Sequence, residues 1–259
     1  MNGLHMRNFD AKKIHVSKPV KREMERLRSL EYPWTLTFLS EVNSRFKISY
    51  LNVCSLYAKK RNVAADRDIS NVDVMFCAET RFQDEDPDHV FEIDGFACYP
   101  SNAVSTTGNR PHLGLAAYHK RHVEVTYKQK ALFQNVDYIR CDVNTEHCGE
   151  VKIVGFYKHQ NATCAQFLRG LRLVLSEFDP DEHQFILIGD ANIDYFSESN
   201  DAVALRNFLS SKRLAQKITQ PTHNMRNCID HIYTNIQSCE CGVSETYYSD
   251  HKGIWIALQ

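Results

Sequence analysis

The chain has no long hydrophobic run, no excess of charge of one sign, no internal repeat and no regular cysteine framework, and each absence removes a class of protein. No stretch of its 259 residues approaches the roughly 20 consecutive apolar residues of a membrane-spanning helix, and the N-terminus lacks the apolar centre of a secretory signal. Charge is balanced, with 31 Lys and Arg against 32 Asp and Glu, whereas strong non-specific nucleic-acid binders carry a basic excess. Basic residues cluster only locally, at Arg7, Lys12, Lys13, Lys18, Lys21, Arg22, Arg26 and Arg28, at Lys59-Lys60-Arg61 and at Lys120-Arg121. Each cluster reads equally well as a solvated face. The nine cysteines are odd in number and irregularly spaced, and several interrupt apolar runs. That usage suits reduced, buried thiols of an intracellular protein rather than a disulfide scaffold. Cys228, His231, Cys239 and Cys241 are all potential zinc ligands, but their spacing matches no common zinc pattern.

What is present is enough apolar sequence for one large domain, or one domain with an appendage: 43% hydrophobic residues with 24% charged. Residues 1–45 form a basic extension. Within it VKREMERLRSL reads as a charged helix, and Pro33 separates it from WTLTFLSEV. From Phe46 onward short β-branched or aromatic runs recur between turn residues: FKISYLNV, VDVMFCAE, FACYPS, LGLAAYH, VEVTYK, DYIRCDV and VKIVGFY. Two longer segments have helical spacing. AQFLRGLRLVLSEF places Phe167, Leu171, Val174, Leu175 and Phe178 on one stripe, and AVALRNFLSSKRL does the same with Val203, Leu205, Phe208, Leu209 and Leu214. Between them FILIGDAN is almost wholly apolar, as a central strand should be. CIDHIYT and GIWIAL complete the set of strands. The expected fold is α/β (α+β), two packed mixed β-sheets with helices on their outer faces, over residues 46–259.

The polar residues that end these runs carry the chemistry. Asn52 ends ISYLN, Glu79 ends VDVMFCAE, Asp190 and Asn192 end FILIGDAN, Asp230 and His231 sit in CIDHIYT, and Asp250 and His251 precede the last strand. Any one of them alone reads as a turn or capping residue. Gathered on one rim of a layered sheet protein, such a set of carboxylates, amides and an imidazole suits metal-assisted phosphodiester hydrolysis.

In this order the residues resemble the endonuclease/exonuclease/phosphatase superfamily, whose members include deoxyribonuclease I, the abasic-site endonucleases and the endonuclease domains of non-long-terminal-repeat retrotransposons. Asn52 in LNVCSL, Glu79 in CAET, Tyr157 in VGFYKHQN, the Gly189–Asn192 GDAN, Asp230 in CIDHIYT and the Ser249–His251 SDH carry the likeness across residues 46–259. The phrasing of Gln220–Asn235 and of SDHKGIWIAL is most similar to mobile-element endonucleases of retrotransposons and Helitron-type transposons. Residues 2–28 resemble the segment that trails the helicase in Helitron-like proteins.

The resemblance implies a four-layer α/β/β/α sandwich and a Mg²⁺-dependent DNA endonuclease, with Mn²⁺ as a possible substitute, that leaves a 3′-hydroxyl and a 5′-phosphate. It implies that Glu79, with Asn52 and Asp250, holds the metal. Asp190 would orient and deprotonate the attacking water, and Asn192 would hold that water or a phosphate oxygen. Asp230 would hold His251 in its protonated form against the phosphate, and Tyr157 would donate to a phosphate oxygen. Expected partners are DNA and a helicase or replication-type transposase region of a longer polypeptide; the expected location is the nucleus, and no membrane partner is implied. An RNA nuclease, a phosphatase of small phosphoesters and a non-catalytic nucleic-acid-binding module are the alternatives. One departure stands out: many DNA-repair members follow the mid-chain Tyr with a small residue and Pro, where this chain has Lys158 and His159. The polar loop Ser101–His112, with Arg110, reads equally as a phosphate contact or a plain hairpin loop.

Overall fold

The computed structural model describes residues 42, 46–101, 112–133, 135–145 and 149–259. The two N-terminal segments expected to be helical or irregular, Arg110 with most of its loop, and Cys148 lie outside the described residues. In chain order the first elements are β1 (Phe46–Asn52), α1 (Leu56–Ala65), α2 (Arg67–Ser70), β2 (Val74–Ala78), β3 (Phe96–Ser101), β4 (Leu115–Lys120), β5 (Val125–Leu132) and β6 (Val136–Thr145). There follow β7 (Gly149–Lys158), α3 (Cys164–Val174), β8 (Gln184–Asp190), α4 (Asn200–Ser211), β9 (Ala215–Gln216), β10 (Asp230–Thr234), β11 (Cys239–Ser244) and β12 (Gly253–Leu258).

The strands form two six-stranded sheets, ordered β11-β12-β1-β2-β4-β3 and β5-β6-β7-β8-β10-β9. Each sheet has one parallel pair near its centre, β1–β2 in the first and β7–β8 in the second, and all other neighbours are antiparallel. A parallel pair requires a crossover rather than a tight turn, which α1 and α2 supply in the first sheet and α3 in the second. The C-terminal ends of both parallel pairs are where ligands bind in open sheets, and they carry Asn52, Glu79, Tyr157 and Asp190.

Strand alternation sorts the core into three layers. Phe46, Ile48 and Tyr50 of β1 face Ile139, Ile153, Ile186 and Ile232 of the other sheet, so the inner faces make one shared core. On the outer face of the second sheet, Phe185 and Leu187 pack under Phe167, Leu171, Leu205 and Leu209 of α3 and α4. On the outer face of the first, Leu51, Met75 and Trp255 pack under Leu56, Val63 and Ile69 of α1 and α2. The result is the expected α/β/β/α sandwich. Where Gly155 of β7 passes Phe76 of β2 the sheets approach so closely that a Cβ would collide with the ring.

The helical stripes sit where their spacing put them except at Val203, whose place in the core Ala202 takes, and both helices stop early: α3 ends at Val174 and α4 at Ser211, and Leu175, Phe178 and Leu214 pack from the turns beyond. Thr163 and Gln166 close α3 with a reciprocal capping box. Helix α1 has no strong signal in the sequence because it buries only Leu56 and Val63 and carries Lys59-Lys60-Arg61 on the rest. Pro100, which has no N–H to give a ladder, lies in β3 at the sheet edge, where it is tolerated.

Candidate active site

Side-chain parity decides which strand-end residues meet. Ile186 and Ile188 face the inter-sheet core, so Asp190 does too; by the same alternation Ile232 brings Asp230 inward and sends His231 to the helix side with Tyr233. Register aligns them further. Tyr157 is paired with Asp190, and Asp190 with Asp230, while Asp137 on β6 is paired with Tyr157. Four polar residues therefore form one row across β6, β7, β8 and β10, spanning about 14 Å at the usual strand spacing.

Asn52 links the two sheets at this row. Its amide nitrogen donates to Glu79 Oε1 at 3.0 Å and to Asp190 Oδ2 at 3.1 Å, and its oxygen accepts from the Cys54 backbone N–H at 3.1 Å. Tyr157 also donates to Glu79 Oε1, at 3.2 Å. Asp190 Oδ1 accepts from the Asn192 N–H at 2.8 Å, and the Asn192 side chain donates to the Lys158 carbonyl at 2.7 Å. Asn192 thus points its amide at the end of β7.

His251 lies between two carboxylates. Its Nδ1 is 2.9 Å from Asp230 Oδ2, and its Nε2 is 3.9 Å from Asp190 Oδ2. Burial alone would lower this imidazole, but the Asp230 charge and hydrogen bond, helped by Asp190, raise it to about 10. Burial and repulsion from Asp230 push Asp190 up to about 7, against the pull of His251 and the Asn52 hydrogen bond. Burial lifts the Tyr157 phenol well above its ordinary range, and the Glu79 and Asp190 charges add to it, so Tyr157 stays a donor. His231 serves differently: burial drops it to about 4, and its ring bonds to the Cys228 carbonyl and the Tyr233 hydroxyl.

Asp250 is joined to Asn52 through the Cys54 thiol, whose sulfur lies 3.8 Å from the Asn52 side-chain oxygen. The Asp250 side chain is half exposed; it accepts from the Cys54 thiol at 2.7 Å and lies 3.5 Å from His223 Nε2. Burial would raise this carboxyl, but the Cys54 hydrogen bond and the His251 charge hold it below its ordinary value. Ser249 donates to the Asn52 carbonyl at 2.7 Å and accepts from the His251 N–H at 3.1 Å, tying the SDH segment to β1.

Cys54 and His223 escape sequence reasoning because each acts through Asp250, and nothing in the local sequence announces that contact. The potential zinc ligands, whose spacing already spoke against such a site, do not assemble: Cys228 faces the inter-sheet core and His231 the opposite side of β10. Among the described residues, the groups spaced to hold a cation are Asp190, Asp230 and His251, and His223, Asp250 and His251. Glu79 Oε1 and Asp190 Oδ2 share the Asn52 amide, so hard oxygen donors of both sheets face one point. That donor set fits a hard divalent cation.

The model of the endonuclease/exonuclease/phosphatase family matches residues 43–251. Similar solved structures include the endonuclease domain of TRAS1, a telomere-specific non-LTR retrotransposon, with 15% identity, 83% of this chain and 98% of that chain covered, and a TM-score of 0.65. The abasic-site (AP) endonuclease LMAP of Leishmania major shares 14% identity over 88% of this chain and 92% of that one, with a TM-score of 0.67. The 3′ phosphatase NExo from Neisseria, bound to product DNA hairpin, shares 14% over 83% and 99%, with a TM-score of 0.58. No curated protein matches by sequence. With about four-fifths of its length under the family model and its strand-end residues gathered at one site, the chain belongs to the endonuclease/exonuclease/phosphatase family of hydrolases.

Proposed function

We propose that this chain is a Mg²⁺-dependent DNA endonuclease that nicks one strand, leaving a 3′-hydroxyl and a 5′-phosphate, and that it serves a transposable element. The observation that carries the chemistry is the imidazole of His251 held by Asp230 at 2.9 Å with its other nitrogen 3.9 Å from Asp190. Raised to about 10, His251 is protonated at neutral pH and presents N–H to a phosphate oxygen as charge grows on it. Asp190, raised to about 7, is matched to taking a proton from water near neutrality. Asn192 holds the adjacent backbone, and Tyr157 offers its hydroxyl to a phosphate oxygen when substrate displaces it from Glu79.

Glu79, with Asn52 beside it and Asp250 on the far side of Cys54, would hold Mg²⁺. An ion bound there would supply positive charge against the phosphate and the negative charge that develops on it. DNA as substrate is supported by TRAS1 and LMAP, both endonucleases by name, and the mobile-element setting by TRAS1 and by the phrasing of Gln220–Asn235. Residues 1–45 are then a basic connection to a helicase or replication-type transposase region.

The deciding experiment is relaxation of supercoiled plasmid with Mg²⁺, with EDTA, and with Asp190→Ala and His251→Ala. Nicked circles that require the metal and both side chains, with ligatable ends, support the reading. A folded protein that leaves plasmid intact while hydrolysing RNA or a small phosphoester overturns it.

A further inference from the structure

The register row has a fourth member that the proposed chemistry does not use. Asp137 of β6 lies directly opposite Tyr157, is 2% exposed, and accepts from His159 Nε2 at 2.7 Å. His159, 3% exposed, is part of the segment in which this chain departs from many DNA-repair members. A buried charged or polar group without a partner is costly, and here each residue is the other's answer. Asp137 also accepts from Ser101 Oγ at 3.5 Å, which brings the end of β3 to the same carboxylate.

The pair sits on the backbone that two site residues depend on. His159 has its ring 5.1 Å from the Tyr157 ring, and its N–H donates to the Asn135 carbonyl at 3.0 Å. Between them, the Lys158 carbonyl receives the Asn192 amide at 2.7 Å. We propose that the Asp137–His159 pair is a positioning device for the phosphoester site: it fixes the backbone from Tyr157 to His159, and so sets both the Tyr157 hydroxyl on Glu79 and the carbonyl that holds Asn192. The sheet thus has an aspartate–histidine pair at each end of its polar row, Asp230–His251 beside the reacting groups and Asp137–His159 behind Tyr157.

This inference rests on the hydrolase reading, and its test separates the two. Plasmid nicking and Mn²⁺ affinity, the latter by electron paramagnetic resonance, are measured on the full chain and on His159→Gln, Tyr157→Phe and the double variant. His159→Gln should lower kcat about 10-fold or more with KM within about twofold, and in the Tyr157→Phe background the same change should cost less than about threefold. Asp137→Asn, which keeps an acceptor for His159, should retain activity within about threefold. Should His159→Gln not fold, Asp137→Leu/His159→Phe carries the same cycle, because it leaves no buried charge unpaired. Effects that simply multiply, or a lowered melting midpoint with unchanged kcat, overturn the proposal. If the wild-type protein hydrolyses no phosphoester, the functional reading falls, and the Mn²⁺ cycle still decides: coupling between positions 157 and 159 supports the pair's role, and independence refutes it.

Discussion

In the sheet that holds β1 and β2, several groups at the rim come from backbone just beyond the strands: Glu79 follows β2 at φ 51, and Cys54 and Ser55 follow β1 at φ 55 and 115. In the sheet that holds β7 and β8, Asp137, Tyr157, Asp190 and Asp230 lie within strands and are aligned by the ladder itself, and Asn192, at φ 46, is the site residue that lies past a strand end. Left-handed backbone at non-glycine residues is held against about 1–3 kcal/mol each, so the first arrangement depends on its loops, whereas the second is set by hydrogen bonds that cannot shift without unpairing strands. The first sheet brings Glu79, an adaptable oxygen donor suited to a cation, and presents His251 from the turn ahead of β12; the second brings the fixed carboxylates suited to proton chemistry, and its Asp230 holds that imidazole.

The contrast predicts that damage to the second sheet's row, or to the imidazole that its Asp230 holds, is felt first in rate. Asp190→Ala or His251→Ala should lower single-turnover nicking by about 10³-fold at saturating Mg²⁺, and more metal should not rescue it. Asp230→Asn should act more narrowly. It removes the main influence that holds His251 near 10, so the alkaline limb of the pH–rate profile should move down toward the ordinary histidine range of about 6.5, with a loss of about 30-fold at pH 8. The acid limb reports Asp190, which must lose its proton to act, so rate should climb as pH rises through about 7 and the limb should move lower as Mg²⁺ rises.

Damage to the first sheet should appear as metal demand. Glu79→Gln should raise the Mg²⁺ concentration for half-maximal nicking about 10–100-fold, with much of the rate recovered at high metal. A profile unresponsive to metal would break the contrast. Stability gives a smaller signal. His251 has a folded-state pKa above its unfolded value, so its contribution is complete below about pH 6.5 and is lost as pH rises through about 10; urea midpoints should fall over that window, and His251→Gln should flatten the fall. The smallest effect should come from Thr163→Ala, which removes the α3 cap for about 1 kcal/mol in urea unfolding and leaves nicking unchanged.

The ends of two strands were legible because a buried strand announces where it stops: Asn52 closes β1 and Asp190 closes β8 after FILIG, whereas Asp230 opens β10 and was legible only from CIDHIYT. Parity then separates Asp230 from His231, which share a motif but face opposite sides of β10. Asp137 was hidden, since nothing in DYIRCDV marks its first residue as different from the second aspartate, Asp142; only the pairing of β6 with β7 puts it opposite Tyr157. His159 was visible as a departure, but its partner lies in another strand. Cys54 and His223 depend on the SDH turn far away in sequence. Helix α1 stayed hidden because a sheet covers so little of it that two buried side chains suffice.

A site written as one row across paired strands tolerates change very unevenly. Lengthening a loop that joins the strands adds only slowly growing closure entropy, about 0.6 kcal/mol per doubling. A single residue inserted within β8 before Asp190 would turn that carboxylate toward the helices and leave the sheet largely intact. Loops around the site are then free to vary in length while the strands keep Tyr157, Asp190 and Asp230 in phase.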